Sequence, residues 1–438
     1  MVNDENPREI AVRVLVQRAR AGQYVENLLE KALAAEALSP PDRALCQEIV
    51  YGLVRWERTL DWLVARKTDG RAQNSTIRLL LHLGLYQIFW LQRIPDHAAV
   101  HETVELGKRL GFDSRAGFLN AVLRGFIREN AATRDMLEAL KTSDPALGYS
   151  HPAWLVENWR SRWGVEKTRP LLEWNNTAPP LFARRNSLRA DQATLAARWA
   201  EEGIQFQERQ WDWTGTGLVF ELRSHPPLAH CRSFQDGLFY IQDPSTLLAV
   251  EQLAPQPGES VLDWCAAPGG KTTFMAQLMR NRGTVVAQDN QPERLQLLRE
   301  NCQRAGADCV QVSLSPPPPG EFDRILIDAP CSNTGVLRRR VDLRWRLQPA
   351  EIQRLRRAQK ELLAQAASKL KPRGTLVYST CSLEPEENEE VVREFLQEQP
   401  GFALENERQL LPFVDGVDGA YVAKLRRKAP EGGASTSL

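Results

Sequence analysis

The chain has 438 residues, too many for one average domain, so two or three are expected. Its 42% apolar content can build real cores, yet no apolar run approaches the roughly 18 residues a membrane helix requires. With a formal net charge of only +1, any nucleic-acid surface has to be concentrated locally and balanced by acids elsewhere.

The start, "MVNDENPREIAVRV", lacks the basic and apolar stretches of a secretory signal, so the cytoplasm is the expected compartment and no membrane partner is expected. Seven cysteines, an odd number without CxxC pairs, point to free thiols rather than a disulfide framework.

Residues 1–135 read as an all-α bundle. Asn6 is a candidate N-cap with Pro7 at the first helical position, and Ile10, Val14 and Leu15 share one face. Helical patterns continue through "DRALCQEIVYGLVRWERTLDWLVARK", "NSTIRLLLHLGLYQIFWLQR", "DHAAVHETVELGKRLG" and "AGFLNAVLRGFIREN". Residues 136–240 read as a small α/β connector. Trp154, Trp159, Trp163 and Trp174 crowd its start, "LFARRNSLRA" looks like a strand, and "DQATLAARWAEEG" like a helix closed by Gly203.

From 241 to 428 strands and helices alternate: "SVLDW", "GTVVAQD", "FDRILID" and "GTLVYST" as strands, with helices between them. That alternation calls for a mostly parallel, Rossmann-like sheet with helices on both faces. Residues 429–438 read as a disordered tail.

"VLDWCAAPGGKT" sets a glycine-rich turn between the first strand of this domain and its helix. Ligands of open α/β sheets bind beyond strand carboxyl ends, where strand order reverses. Gly269 and Gly270 allow close backbone approach, and Asp289, ending the next strand, can accept the hydroxyls of a ribose. Two competing readings are a purely structural turn and a phosphate-binding loop. The second requires glycine five residues before Gly270, where Cys265 stands.

"ILIDAPCSNTG" and "LVYSTCSLEPEEN" place Cys331 and Cys381 just after two strands of the same sheet, with Asp328 beside the first. One such cysteine is more often packing; two at matching positions point to chemistry. Cys265 reads as packing, as do Cys46, Cys231, Cys302 and Cys309. A thiolate, a ribose-bearing cofactor and a neighbouring carboxyl suit methylation at carbon 5 of cytosine. Thiolate addition at carbon 6 makes carbon 5 nucleophilic toward the sulfonium methyl of S-adenosylmethionine. Asp328 would supply or orient a proton at N3, and the second cysteine would serve release. A helix beginning near Glu384 would aim its N-terminus at Cys381.

"LDWCAAPGGKT", "ILIDAPCSNTGVLRRR", "GTLVYSTCSLEPEENE" and "DGAYVAKL" together resemble the RNA cytosine-5 methyltransferases of the NOL1/NOP2/Sun family. The resemblance implies a class I methyltransferase domain in which Cys381 attacks and Cys331 assists release. It also implies that Cys265, Ala266, Ala267, Pro268, Gly269, Gly270, Lys271, Asp289 and Asp328 contact S-adenosylmethionine. "RIPDHAAVHETVELGKRL" and "FLNAVLRGF" are similar to the NusB-like RNA-binding fold. That pairing implies a bacterial branch acting on small-subunit (16S) ribosomal RNA, at a single-stranded or flipped-out cytosine, with the assembling small subunit as a possible partner. In one departure, Ser315 lies near where the family carries an aspartate after the third strand, so adenine-side contacts are expected to differ.

"GVLRRRVDLRWRL" packs five arginines around Trp345 and reads as an RNA-facing run. Arg184, Arg185, Arg124 and Arg128 would extend it. His225, His230 and Cys231 lack further nearby ligands, so no metal site is expected. The rival from another class is a non-catalytic RNA-binding assembly factor that keeps the methyltransferase fold.

Overall fold

The computed structural model describes residues 6–36, 38–314 and 319–429; Ser315 and the tail from 430 onward lie outside it. The chain divides into two compact units. The first runs to Thr177 and also takes in Leu337–Arg346, and the second comprises Ala178–Val336 and the chain from Leu347.

The first unit is helical. Asn6 caps the Pro7–Ala21 helix by accepting from the Arg8 N–H at 2.9 Å. The Ser75–Trp90 helix is buried nearly all round, from Ile77 to Phe89, and forms the centre of the bundle. Pro40–Arg55 packs against it at Gly52, where a Cβ would lie 2.0 Å from the Tyr86 ring, so only glycine permits that approach. Helix continues past residue 135: Asn130–Ser143 and Ala153–Asn175 belong to this unit, the latter interrupted at Gly164 (φ 75°, ψ 174°).

The arginine run does not form the exposed RNA-facing surface expected of it. Arg344 is fully buried and donates to the carbonyls of Arg55 (3.3 Å), Ser150 (3.1 Å) and Asn175 (2.9 Å), and to Asn176 Oδ1 (3.0 Å). Buried Asp342 accepts from Arg18 Nε (2.8 Å) and the Val25 N–H (3.0 Å), and pairs with Arg346. The Trp345 indole donates to the Val54 carbonyl at 2.7 Å, and the Arg338 guanidinium stacks 3.9 Å from the Trp174 ring. These donors saturate carbonyls that the helix ends leave unpaired, which is why arginine rather than an apolar residue occupies the interior here. Arg340 alone of the five is exposed.

The second unit contains two sheets. The smaller is antiparallel, in the order β2-β3-β1-β4, from β1 (Leu181–Arg185), β2 (Gln205–Arg209), β3 (Val219–Ser224) and β4 (Phe239–Ile241). Trp199, on the Gln192–Glu201 helix, fills its core against Phe206, Phe220 and Phe239.

The larger sheet comprises β5 (Ser260–Trp264), β6 (Thr284–Asp289), β7 (Val310–Leu314), β8 (Phe322–Asp328), β9 (Leu370–Thr380), β10 (Phe402–Leu410) and β11 (Ala420–Arg427). Its order is β10-β11-β9-β8-β5-β6-β7; the first five of these strands in sequence run parallel, and β11 and β10 form an antiparallel edge. Both faces are covered. Val261, Leu326 and Val377 enter one core while their neighbours Leu262, Ile327 and Tyr378 enter another, so the central strands read as nearly unbroken apolar runs. Strand order reverses about β5, and the carboxyl ends of β5, β6, β8 and β9 carry every singled-out site residue.

Candidate active site

The turn after β5 leads through Cys265 (φ 66°) to Gly269 (φ 104°), the N-cap of the Gly270–Leu278 helix. A Cβ at Gly269 would sit 2.7 Å from the Leu298 side chain, so the loop lies against its neighbouring helix at a distance only glycine allows. Cys265 holds a left-handed conformation costly for a side chain, a local strain typical of functional loops. Its thiol is pushed up to about 12 by burial and the carboxylates of Asp328, Asp289 and Asp263. Its side chain packs against the core beside β5.

Asp289 ends β6 and is 2% exposed. Its Oδ2 accepts from the Ala267 N–H and its Oδ1 from the Gln291 N–H, both at 3.2 Å, which ties the carboxylate to the glycine loop. Asn301 Nδ2 donates to the Pro268 carbonyl at 2.9 Å. Arg184, expected to face RNA, is instead buried behind the loop. It donates to the Gly270 carbonyl (2.7 Å), Gln242 Oε1 (2.6 Å) and Thr273 Oγ1 (2.9 Å), between the rings of Tyr240 and Phe274. Arg185 likewise turns inward, to the carbonyls of Gly217 and Ala190. Among the expected basic contacts, Arg124 and Arg128 are exposed.

At the ends of the adjacent strands β8 and β9, Cys331 Sγ and Cys381 Sγ approach to 3.4 Å. Cys381 is half-buried, and Cys331 retains 8% exposure. Cys381 Sγ also lies 3.0 Å from Asn333 Oδ1. Asn333 itself is left-handed (φ 58°), a conformation asparagine tolerates, and its Nδ2 donates to the Cys331 carbonyl at 2.6 Å. The hydrogen bond with Cys381, burial, and the neighbouring Cys381 sulfur and Glu387 carboxylate hold the Cys331 thiol well above its ordinary value. Asp328 completes the cluster. Its Oδ2 pairs with Lys271 Nζ at 2.7 Å and its Oδ1 accepts from Ser379 Oγ at 3.1 Å. Burial works against the Lys271 charge, but Asp328, together with Cys381 and Asp263, raises the ammonium above its usual value.

The helix expected near Glu384 begins at Glu389, after a single 3-10 turn at Pro385–Glu387, so no helix N-terminus follows directly on Cys381. The acidic stretch acts differently. Glu387 is fully buried and accepts from the Ser332 N–H (2.9 Å), Ser332 Oγ, Ser382 Oγ (2.5 Å) and Gln359 Nε2 (3.1 Å). A second missed group is Asp263, fully buried on β5, which accepts from Thr272 Oγ1 at 2.5 Å. Both are acids in apolar runs or acid-rich segments, where nothing in the sequence singles them out. The matched serines of "PCS" and "TCS" were the available signal.

The model of the 16S rRNA methyltransferase RsmB/F family matches residues 250–426, that of the NusB family residues 5–128, and an RsmF/B-like ferredoxin-like domain residues 151–221. The chain is 34% identical over 450 residues to the probable ribosomal RNA small subunit methyltransferase B of Bacillus subtilis, covering 96% of this chain and 98% of that one. The chain belongs to the RsmB/F family of 16S rRNA methyltransferases. Methyltransferase B of Escherichia coli O157:H7 is 34% identical, covering 98% of this chain and 100% of its own. The crystal structure of PH0851 shares the fold of this RsmB/F chain at 24% identity, with a TM-score of 0.76 over 97% of this chain and 99% of that one.

The cofactor of this RsmB/F methyltransferase is S-adenosylmethionine. The residues fit it: the glycine turn opens the Gly270–Leu278 helix beyond the end of β5, and the Asp289 carboxylate at the end of β6 suits a ribose diol. No helix among the described residues is long and apolar enough to cross a membrane, and no group of three or more His, Cys, Asp or Glu among them is arranged to hold a metal ion.

Proposed function

We propose that this protein methylates carbon 5 of a cytosine in 16S ribosomal RNA through a covalent bond between Cys381 and carbon 6 of the base. The observation that carries the reading is the 3.4 Å approach of two thiols at neighbouring strand ends, beside an ion-paired carboxylate and the glycine loop.

The cytosine has to be unpaired or turned out of its stack, because a thiol cannot reach carbon 6 inside a duplex. Cys381 Sγ adds to carbon 6, which breaks the ring's aromaticity and leaves carbon 5 electron-rich. Asp328, paired with Lys271, accepts from the exocyclic amine of the base and supplies or orients a proton at N3, and Lys271 lowers the cost of charge gathering there. S-adenosylmethionine, held by residues 265–271 and Asp289, supplies an electrophilic methyl group.

Cys331 rests protonated largely because of its hydrogen bond with Cys381. Once Cys381 is bonded to carbon, that influence is gone. Cys331 releases its proton to solvent and, as thiolate, takes the carbon 5 proton; the carbon 5–carbon 6 double bond re-forms as the Cys381–carbon 6 bond breaks, and Cys381 leaves as thiolate. The helical unit, with exposed Arg124 and Arg128, provides RNA contact, and the protein works in the cytoplasm on the assembling small subunit.

Bisulfite sequencing of 16S ribosomal RNA with and without the gene tests the product: one protected cytosine is expected to disappear. Cys381→Ala is expected to abolish methyl transfer, and Cys331→Ala to leave a denaturation-resistant protein–RNA adduct. An adduct in the Cys381 variant instead would reverse the two roles. Unchanged cell growth with Cys381→Ala would favour a non-catalytic assembly factor.

A further inference from the structure

We propose that Glu387 is the positioning residue that registers the two cysteines, and that through Cys331 it governs release of the methylated base. The inference rests on the cysteine roles proposed above.

Cys331 and Cys381 sit on separate loops, after β8 and β9, and no covalent link fixes their spacing. Each is followed by a serine, and both serines turn toward one carboxylate. Glu387 Oε2 accepts from the hydroxyls of Ser332 and Ser382, while Oε1 accepts from the Ser332 N–H and from Gln359. Gln359 also donates to the carbonyl of Pro330, immediately before Cys331, at 2.9 Å. The two serine hydroxyls lie 3.0 Å apart, each within reach of the other. The Glu387 carbonyl in turn accepts from Tyr378 OH at 2.6 Å, which anchors the turn to β9.

A buried carboxylate is costly unless every lone pair is used, and here all donors come from residues flanking the cysteines or bracing their loops. The geometry therefore holds two backbones at one separation. Glutamate, as an acceptor-only group, can receive four donors at once; glutamine cannot. Its charge also adds to the forces that keep Cys331 protonated at rest. Loss of registry would spare Cys381, which attacks alone, and would penalise the step that needs both sulfurs.

The test uses the full-length protein, unmodified 16S ribosomal RNA and a tritiated methyl donor. It reads released product and the protein–RNA adduct that survives denaturation. Glu387→Gln is expected to lower product about 10²-fold while adduct accumulates as in Cys331→Ala, and Glu387→Asp to recover part of the turnover. If Glu387→Gln turns over normally, or loses product and adduct together, the proposal is overturned. Cys331→Ala separates the two levels: without adduct there, the underlying cysteine assignment fails. With adduct there and none in Glu387→Gln, only the role of Glu387 fails. Should Glu387→Gln not fold, as judged by circular dichroism, the Ser332→Ala/Ser382→Ala pair removes two of the four donors and decides by the same two readouts.

Discussion

Lys271 Nζ and Asp328 Oδ2 lie 2.7 Å apart, joining the helix after the glycine loop to the end of β8. One pair thus links the cofactor-side turn to the strand that leads to Cys331. If the pair acts as a unit, Lys271→Met and Asp328→Asn each lower kcat about 10²-fold, and the double variant is little worse than either. Steady-state methyl transfer on the four proteins checks this. Fully additive losses would separate the two residues.

Asp263 gives a pH dependence of stability. Burial pushes its carboxyl up to about 7, against the hydrogen bond from Thr272 and reinforced by Asp328. A native value above the unfolded one means the folded state binds the extra proton. This contribution is therefore favourable below about pH 4 and is lost as pH rises toward 7. Asp263→Asn is expected to flatten the fall in melting temperature between about pH 4 and pH 7, leaving the slopes from raised Glu387 and Glu26. An unchanged slope would contradict the assignment.

Arg344 separates a structural from an RNA-binding reading of the arginine run. Arg344→Ala removes donors from three backbone carbonyls and is expected to destabilise the helical unit by about 3 kcal/mol. Arg340→Ala, at the exposed position, is expected to leave unfolding unchanged. Denaturant titration compares them. In salt-dependent RNA binding, Arg344→Lys should not alter the slope, since the residue touches no phosphate.

Arg184 braces the glycine loop from behind. Arg184→Met is expected to weaken binding of S-adenosylhomocysteine about tenfold by calorimetry, while RNA affinity at fixed salt stays the same. A changed RNA affinity with intact cofactor binding would return Arg184 to the RNA-facing surface.

Much of the second unit was legible because parallel strands buried on both faces leave apolar runs, such as "RILID" and "TLVYS", that end where ligands bind. Cys331, Cys381, Asp289 and the glycine loop could be located from those ends alone. Arginines were less legible. A guanidinium looks the same in sequence whether it meets a phosphate or a helix-end carbonyl, and Arg184 and Arg344 meet carbonyls. Glu387 was hidden for a related reason. In "EPEENEE" each acid has equal standing, and only the fold chooses that Glu384 and Glu387 turn inward.

The ten-residue excursion Leu337–Arg346 has a practical outcome for anyone dissecting the protein. A cut after Thr177 would strip the N-terminal fragment of its Arg344 and Asp342, leaving Arg18 with Glu57 alone and several backbone oxygens without their donor, while the other fragment would carry an apolar strap including Val341 and Leu343. A boundary drawn to keep this strap with the helical unit would preserve the Arg344 and Asp342 contacts.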